Sequence, residues 1–174
     1  MEIKLTSVAD AESLSEFYRK NAAHLRAWEP LREEGYHSVE AWAQRLVRRE
    51  TEQSIGTSAY FVAYSANGSR VIATCSLTNI ARGVFQGCNI GYSICEELQG
   101  RGLMRALCVH VIDYGFQDLG LNRIMANYMP SNRRSENLLS RLGFSKEGLA
   151  KKYLLINGRW EDHVLTSLLN PGNT

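Results

Sequence analysis

The sequence predicts an α/β domain in which antiparallel strand pairs alternate with amphipathic helices. Three observations lead there. Asn67-Gly68 and Asn157-Gly158 are hairpin-turn signals, each set between runs of β-forming residues. Leu14, Phe17 and Tyr18 recur at helical spacing. A strand, a glycine loop and a helix follow one another around Gly100 and Gly102. A length of 174 residues with 44% hydrophobic residues fits one domain over 1–174, whose core closes without disulfide or structural metal.

Taken in order, Glu2 to Thr6 alternates polar and apolar as a half-buried strand, and Asp10 is placed to cap the helix of Leu14, Phe17 and Tyr18. His24 to Pro30 reads as a bent connection, because a proline and a large aromatic interrupt helical spacing. Ser38 caps a second helix reaching about Glu52. Tyr60–Tyr64 and Val71–Leu77 make a hairpin, and Asn89–Cys95 a further strand. Leu103, Leu107, Val111 and Ile112 mark the helix after the glycine loop. Asn122–Tyr128 is the next strand, and a short helix capped by Asn132 or Ser131 follows it and stops at Gly143. Ala150–Ile156 and Arg159–Leu168 form the last hairpin.

A formal charge of +2 lacks the basic excess of a protein that covers many nucleic-acid phosphates. Cys75, Cys88, Cys95 and Cys108 lie singly, without zinc-type spacing, and read as reduced, buried thiols; no metal is expected. The N-terminus lacks the basic start and apolar run of a signal peptide, and no stretch approaches the roughly 20 apolar residues needed to cross a bilayer. A soluble cytoplasmic protein without a membrane partner is expected.

Gln99-Gly100-Arg101-Gly102-Leu103-Met104 carries the chemistry. A helix N-terminus exposes unbonded N–H groups and the positive end of its dipole, so a glycine loop opening a helix can wrap a pyrophosphate. The loop matches neither the three-glycine dinucleotide fingerprint nor the Gly-Lys-Ser/Thr phosphate loop. Taken alone, it is either an anion site or a tight strand-to-helix turn.

Its neighbours decide. Gln99 and Gly102 fit the coenzyme loop of the GCN5-related N-acetyltransferase (GNAT) superfamily, while Met104 departs from the final Gly or Ala. Arg123 to Pro130, Asn132, Arg134, Ser135, Arg141 to Phe144 and Asp162 to Thr166 resemble RimJ-type ribosomal-protein-alanine N-acetyltransferases, as do His24, Leu25, Trp28 and Pro30. The resemblance implies a GNAT fold, a mixed and mostly antiparallel twisted sheet of about seven strands flanked by about four helices and splayed at the coenzyme site. It implies acetyl-CoA as co-substrate and, as acceptor, the N-terminal alanine of a small-subunit ribosomal protein, the fifth being the expected one. The small ribosomal subunit is a further candidate partner, and a monomer or weak dimer is expected.

On that resemblance Ile94, Cys95, Gln99, Gly100, Arg101, Gly102, Leu103, Met104, Arg105, Asn132 and Ser135 contact the coenzyme. Asn132 is equally explained as a helix cap, and Arg101 and Arg105 as a solvated face. Ser135 donates a hydrogen bond to the departing sulfur. Trp28, Glu29, Tyr92 and Tyr128 line the acceptor side. The glutamate that related enzymes use as base falls at Leu154, so proton removal is assigned to a water relay through Asn127, Tyr128 or Glu29. An α-amino group has a pKa near 7.8 against about 10.4 for lysine, so its neutral form costs roughly 3.5 kcal/mol less at pH 7. The mechanism expected is direct amine attack, with the oxyanion on a backbone N–H near Ile94 or Cys95; His163 is read as a structural histidine. Two other functions stay open: a small-amine acetyltransferase, and a ribosome-assembly or RNA-binding module using Arg45, Arg48, Arg49, Arg133 and Arg134.

Overall fold

The structure is a computed structural model, with residues 1–173 described. Its strands are β1 (Glu2–Leu5), β2 (Ala59–Tyr64), β3 (Val71–Ala81), β4 (Gly87–Ile94), β5 (Arg123–Tyr128), β6 (Ser145–Ile156) and β7 (Arg159–Leu169). The helices are α1 (Ala11–Lys20), α2 (Ala22–Leu25), α3 (Val39–Ser54), α4 (Leu103–Asp113) and α5 (Arg133–Arg141). One seven-stranded sheet runs β1-β2-β3-β4-β5-β7-β6. The β4–β5 pair is parallel and every other neighbouring pair antiparallel. The seven strands and mixed, mostly antiparallel sheet meet expectation; the fifth helix is a single turn, α2, which starts at Ala22 and runs into the segment His24 to Pro30 expected to be a bent connection.

Strand alternation sends neighbouring side chains of β2 to opposite faces, and a different helical layer covers each. Tyr60 meets Arg49 of α3, whose guanidinium lies 4.2 Å from the ring centroid. Phe61 packs edge-on against Tyr114, 5.1 Å between centroids, in the π-helical turn Tyr114–Asp118 that prolongs α4. Leu14, Leu46, Leu77, Leu107, Leu121 and Ile124 are fully enclosed between these layers, and each contributes on the order of 1.5–3 kcal/mol by leaving water.

The caps at Ser38 and Asn132 form as expected: Ser38 Oγ accepts from the Ala41 N–H (3.1 Å) and Asn132 Oδ1 from the Ser135 N–H (3.0 Å). Asp10 differs. A 3₁₀ turn over Val8–Asp10 precedes α1, and Asp10 makes no side-chain cap bond to it. Its carboxylate turns inward, 2% exposed, and accepts from the Ser7 N–H (2.8 Å), the Tyr64 hydroxyl (2.7 Å) and Lys4 Nζ (2.7 Å). Burial alone would raise its pKa, but these three donors outweigh it and hold the carboxyl below the ordinary aspartate value.

Candidate active site

The site begins where the sheet opens. β4 pairs with β5 only from Gly87 to Asn89, opposite Arg123 to Met125. Beyond that, β4 continues to Ile94 on β3 alone. The Cys95 N–H donates to the Ile72 carbonyl (2.9 Å). By the alternation of an antiparallel ladder, Ile94, opposite Ala73, is then a non-bonded pair. Its N–H and C=O face the gap toward β5. An oxyanion donor at Ile94 is therefore available, whereas the Cys95 N–H is already committed.

The glycine loop lies at the mouth of this gap. Gly100 (φ +76°) and Gly102 (φ +77°) both adopt left-handed backbone, and an added Cβ at either would meet no atom within 4 Å. That conformation costs an L-residue about 1–2 kcal/mol, which is why glycine stands there. Gly102 is the N-cap of α4, and its carbonyl accepts from Ala106. Among the described residues the N–H groups of Gly100 to Arg105 have no protein acceptor outside the helix ladder, which begins only at Ala106. Met104, the off-pattern residue, is 8% exposed and packs its sulfur 3.6 Å from Cys108 Sγ. It fills the core and leaves its N–H to the loop.

Gap and loop open into one cleft of about 730 Å³. Of the residues expected at the site, Trp28, Glu29, Tyr92, Ile94, Gln99, Gly100, Gly102, Leu103, Met104, Arg105, Asn132 and Ser135 line it. Tyr92 and Ser135, on separate elements, meet hydroxyl to hydroxyl at 2.6 Å. Burial raises the Tyr92 pKa and the Ser135 bond only partly offsets it, so Tyr92 stays a neutral phenol. Glu29 is held through its carbonyl by the Asn157 N–H (2.9 Å) in the β6–β7 turn. Burial raises its carboxyl above the ordinary glutamate value, and the charge of Arg32 draws it only part of the way back.

Cys95, Arg101, Asn127 and Tyr128 are not brought into the cleft wall. Cys95 is buried, with its sulfur near Asn21 Nδ2 (3.5 Å) and the Val71 carbonyl, and burial pushes its thiol pKa up. Arg101 points into solvent. Tyr128 is 4% exposed and donates to Glu136 at 3.4 Å, as core side chains of β5 do when they end at a helix surface. Asn127, on the other face of β5 by alternation, reaches the Tyr153 hydroxyl at 3.4 Å. His163 is buried, its Nδ1 3.0 Å from the Glu161 carbonyl, in keeping with a structural role.

Four residues take a part in the site that the sequence had not assigned to them. His24 Nε2 lies 2.9 Å from Gln99 Nε2, pinning α2 to the loop across 75 residues. Asn21, buried at the end of α1, donates to the Phe17 carbonyl (2.8 Å) and accepts from the Glu96 N–H (3.0 Å), so it anchors the chain entering the loop. Arg134 and Arg141 join Arg105 in the cleft wall, with no carboxylate within 4.0 Å of any of the three among the described residues. His24, Arg134 and Arg141 stood in segments already singled out; Asn21 carried no local signal.

A glycine loop with free N–H groups, arginines without counter-ions and an open strand edge together suit an anionic, amide-bearing ligand. Comparison with known proteins agrees. The acetyltransferase (GNAT) domain family matches residues 2–145. The [ribosomal protein uS5]-alanine N-acetyltransferase of Escherichia coli (strain K12) is 41% identical over 169 residues, covering 97% of this chain and 87% of that protein. The crystal structure of ribosomal-protein-S5-alanine acetyltransferase from Vibrio fischeri superposes with a TM-score of 0.95 at 41% identity, over 99% of this chain and 94% of that one. Mycobacterium smegmatis RimJ in complex with CoA-disulfide gives a TM-score of 0.90 at 28% identity, over 96% and 80% of the two chains. The open β4 edge, the loop geometry and the match over most of the sequence lead to one conclusion: this chain belongs to the GNAT acetyltransferase family.

Proposed function

We propose that this protein transfers the acetyl group of acetyl-CoA to the N-terminal alanine of ribosomal protein uS5 by direct attack of the amine. The observation that carries the reading is the similarity to the Escherichia coli enzyme over 97% of the chain, taken together with a cleft that fits the coenzyme. The run of free N–H groups from Gly100 to Arg105 suits the pyrophosphate, with Arg105, Arg134 and Arg141 adding charge-assisted contacts. The Ile94 carbonyl on the exposed edge of β4 suits an amide N–H of the pantetheine arm, which can bond there as a strand would and leaves the Ile94 N–H free.

Acetyl-CoA supplies an activated thioester, which an amine can open without a covalent enzyme intermediate. The chain's own residues supply position, charge and protons. The Ile94 N–H is aimed into the gap as an oxyanion donor. Ser135, bonded to the neutral Tyr92 phenol, is the proton donor to the leaving sulfur. Trp28 and Glu29 flank the acceptor entrance. Asn132 both caps α5 and stands in the cleft wall. No helix among the described residues is long and apolar enough to cross a membrane; the protein works in the cytoplasm, as a monomer or weak dimer, on a ribosomal protein free or within the small subunit.

The test is a competition. Acetyl-CoA is incubated with the protein and an equimolar mixture of a peptide carrying the uS5 N-terminus and spermidine, and products are read by mass spectrometry. Acetylation at the peptide's α-amine is expected. Acetylated spermidine with unmodified peptide would assign the chain to small amines instead.

A further inference from the structure

We infer that the Glu29 carboxylate is the general base that removes the proton from the acceptor amine. The inference rests on the acetyltransferase reading above and settles which of the relay candidates acts. Asn127 and Tyr128 are occupied elsewhere, by Tyr153 and by Glu136, and neither lines the cleft.

Glu29 is different in three respects. It lines the cleft beside Trp28, in the same cavity as Ser135 and Ile94. Its backbone is fixed at both ends of the segment: the Trp28 N–H donates to the Leu25 carbonyl (2.8 Å), and the Asn157 N–H donates to Glu29's own carbonyl (2.9 Å). Its carboxylate has no hydrogen-bond or ion-pair partner among the described residues, and Arg32 acts on it only at long range. A half-buried carboxylate without a partner is costly to keep, and a fold retains such a group where a ligand cation completes it. The entering α-ammonium is that cation.

The balance is simple. Glu29 takes one proton from the ammonium and becomes the neutral acid, and the freed amine forms the C–N bond as the C–S bond breaks. The amine's second proton ends on the CoA sulfur, and Glu29 returns its proton to solvent. Desolvation has already raised the carboxyl toward the acceptor's own pKa, which favours this exchange.

The experiment compares wild type, Glu29→Gln and Glu29→Asp on whichever acceptor, alanine peptide or spermidine, the wild type turns over. The identity of the acceptor thus fails or stands on the wild-type rate alone. Glu29→Gln should bind acetyl-CoA as wild type by calorimetry and lose about 100-fold or more in kcat at pH 7. The loss should shrink as the pH rises past the amine pKa of about 7.8, where the acceptor arrives already neutral. Glu29→Asp should keep part of the rate and the wild-type shape of the profile. Other titratable or charged groups stand around Glu29: Tyr18 on α1, His24 on α2, Arg32 on the same loop, and Tyr92 and Glu96 in the cleft wall. All are unchanged in the variants, so only the difference between profiles is read. A loss confined to KM, or one of equal size at every pH from 6 to 9, would overturn the assignment and leave Glu29 a charge that merely attracts the acceptor.

Discussion

Replacing Gly102 by alanine separates coenzyme binding from folding. Gly102 has φ +77° and no atom within 4 Å of an added Cβ. The folded protein therefore has room for the methyl group, and the cost to stability is the left-handed backbone alone, about 1–2 kcal/mol. For a chain of this size each kcal/mol lowers Tm by roughly 2–4 °C, so a fall of about 2–8 °C is expected. The open space is where a phosphate would approach the unbonded N–H groups. Losing one charge-assisted bond of about 1.5–3 kcal/mol weakens acetyl-CoA roughly 10- to 150-fold. Gly68 is the control: it has φ +69°, equally open surroundings and a place in the β2–β3 turn, far from the cleft lining. Gly68→Ala should show a comparable Tm shift with unchanged affinity. Calorimetric titration with acetyl-CoA and differential scanning calorimetry report the two quantities. Wild-type affinity in Gly102→Ala, with the expected Tm shift, would refute the coenzyme loop.

Three further outcomes follow from the same geometry. Ser135→Ala should lower kcat about 10- to 100-fold with little change in KM for acetyl-CoA, and destabilise by about 0.5–1.5 kcal/mol because the half-buried Tyr92 hydroxyl loses its 2.6 Å partner; steady-state kinetics and urea unfolding measure both. Cys95→Ala should keep most of the activity, since burial holds the thiol protonated, and intact-mass spectrometry should find no acetylated enzyme; abolished turnover would point to a covalent intermediate. Asp10→Ala should cost about 2–4 kcal/mol by removing the acceptor of three donors. The Asp10 pKa is depressed on folding, so its contribution is present above the ordinary aspartate value of about 3.9 and is lost as the pH falls through the folded value. Urea titrations of wild type and variant should converge at low pH.

What the sequence determined by itself was local, though not all of that: β6 starts at Ser145, ahead of the expected Ala150, and the single turn α2 was not expected. Period-two runs placed β2, β3 and β5 within a residue or two of their starts, and Asn-Gly closed both hairpins. Ser38 and Asn132 declared their caps because capping is settled within three residues. The glycine loop was legible for the same reason: the left-handed backbone and the helix start adjoin in the chain. Asp10 does stand at the N-cap position of α1, as its neighbours in sequence suggest, but two of its side-chain donors, Lys4 and Tyr64, converge only when β1 pairs with β2. The rest belongs to the tertiary structure. That β4 and β5 separate after Asn89, that the Cys95 N–H is taken and the Ile94 N–H free, and that Gln99 meets His24 are facts of register and packing. So is the burial of Glu29 without a partner beneath the β6–β7 turn. Periodicity reports which face of an element is apolar, but not which distant element covers it, and the chemistry of this cleft depends on those distant neighbours.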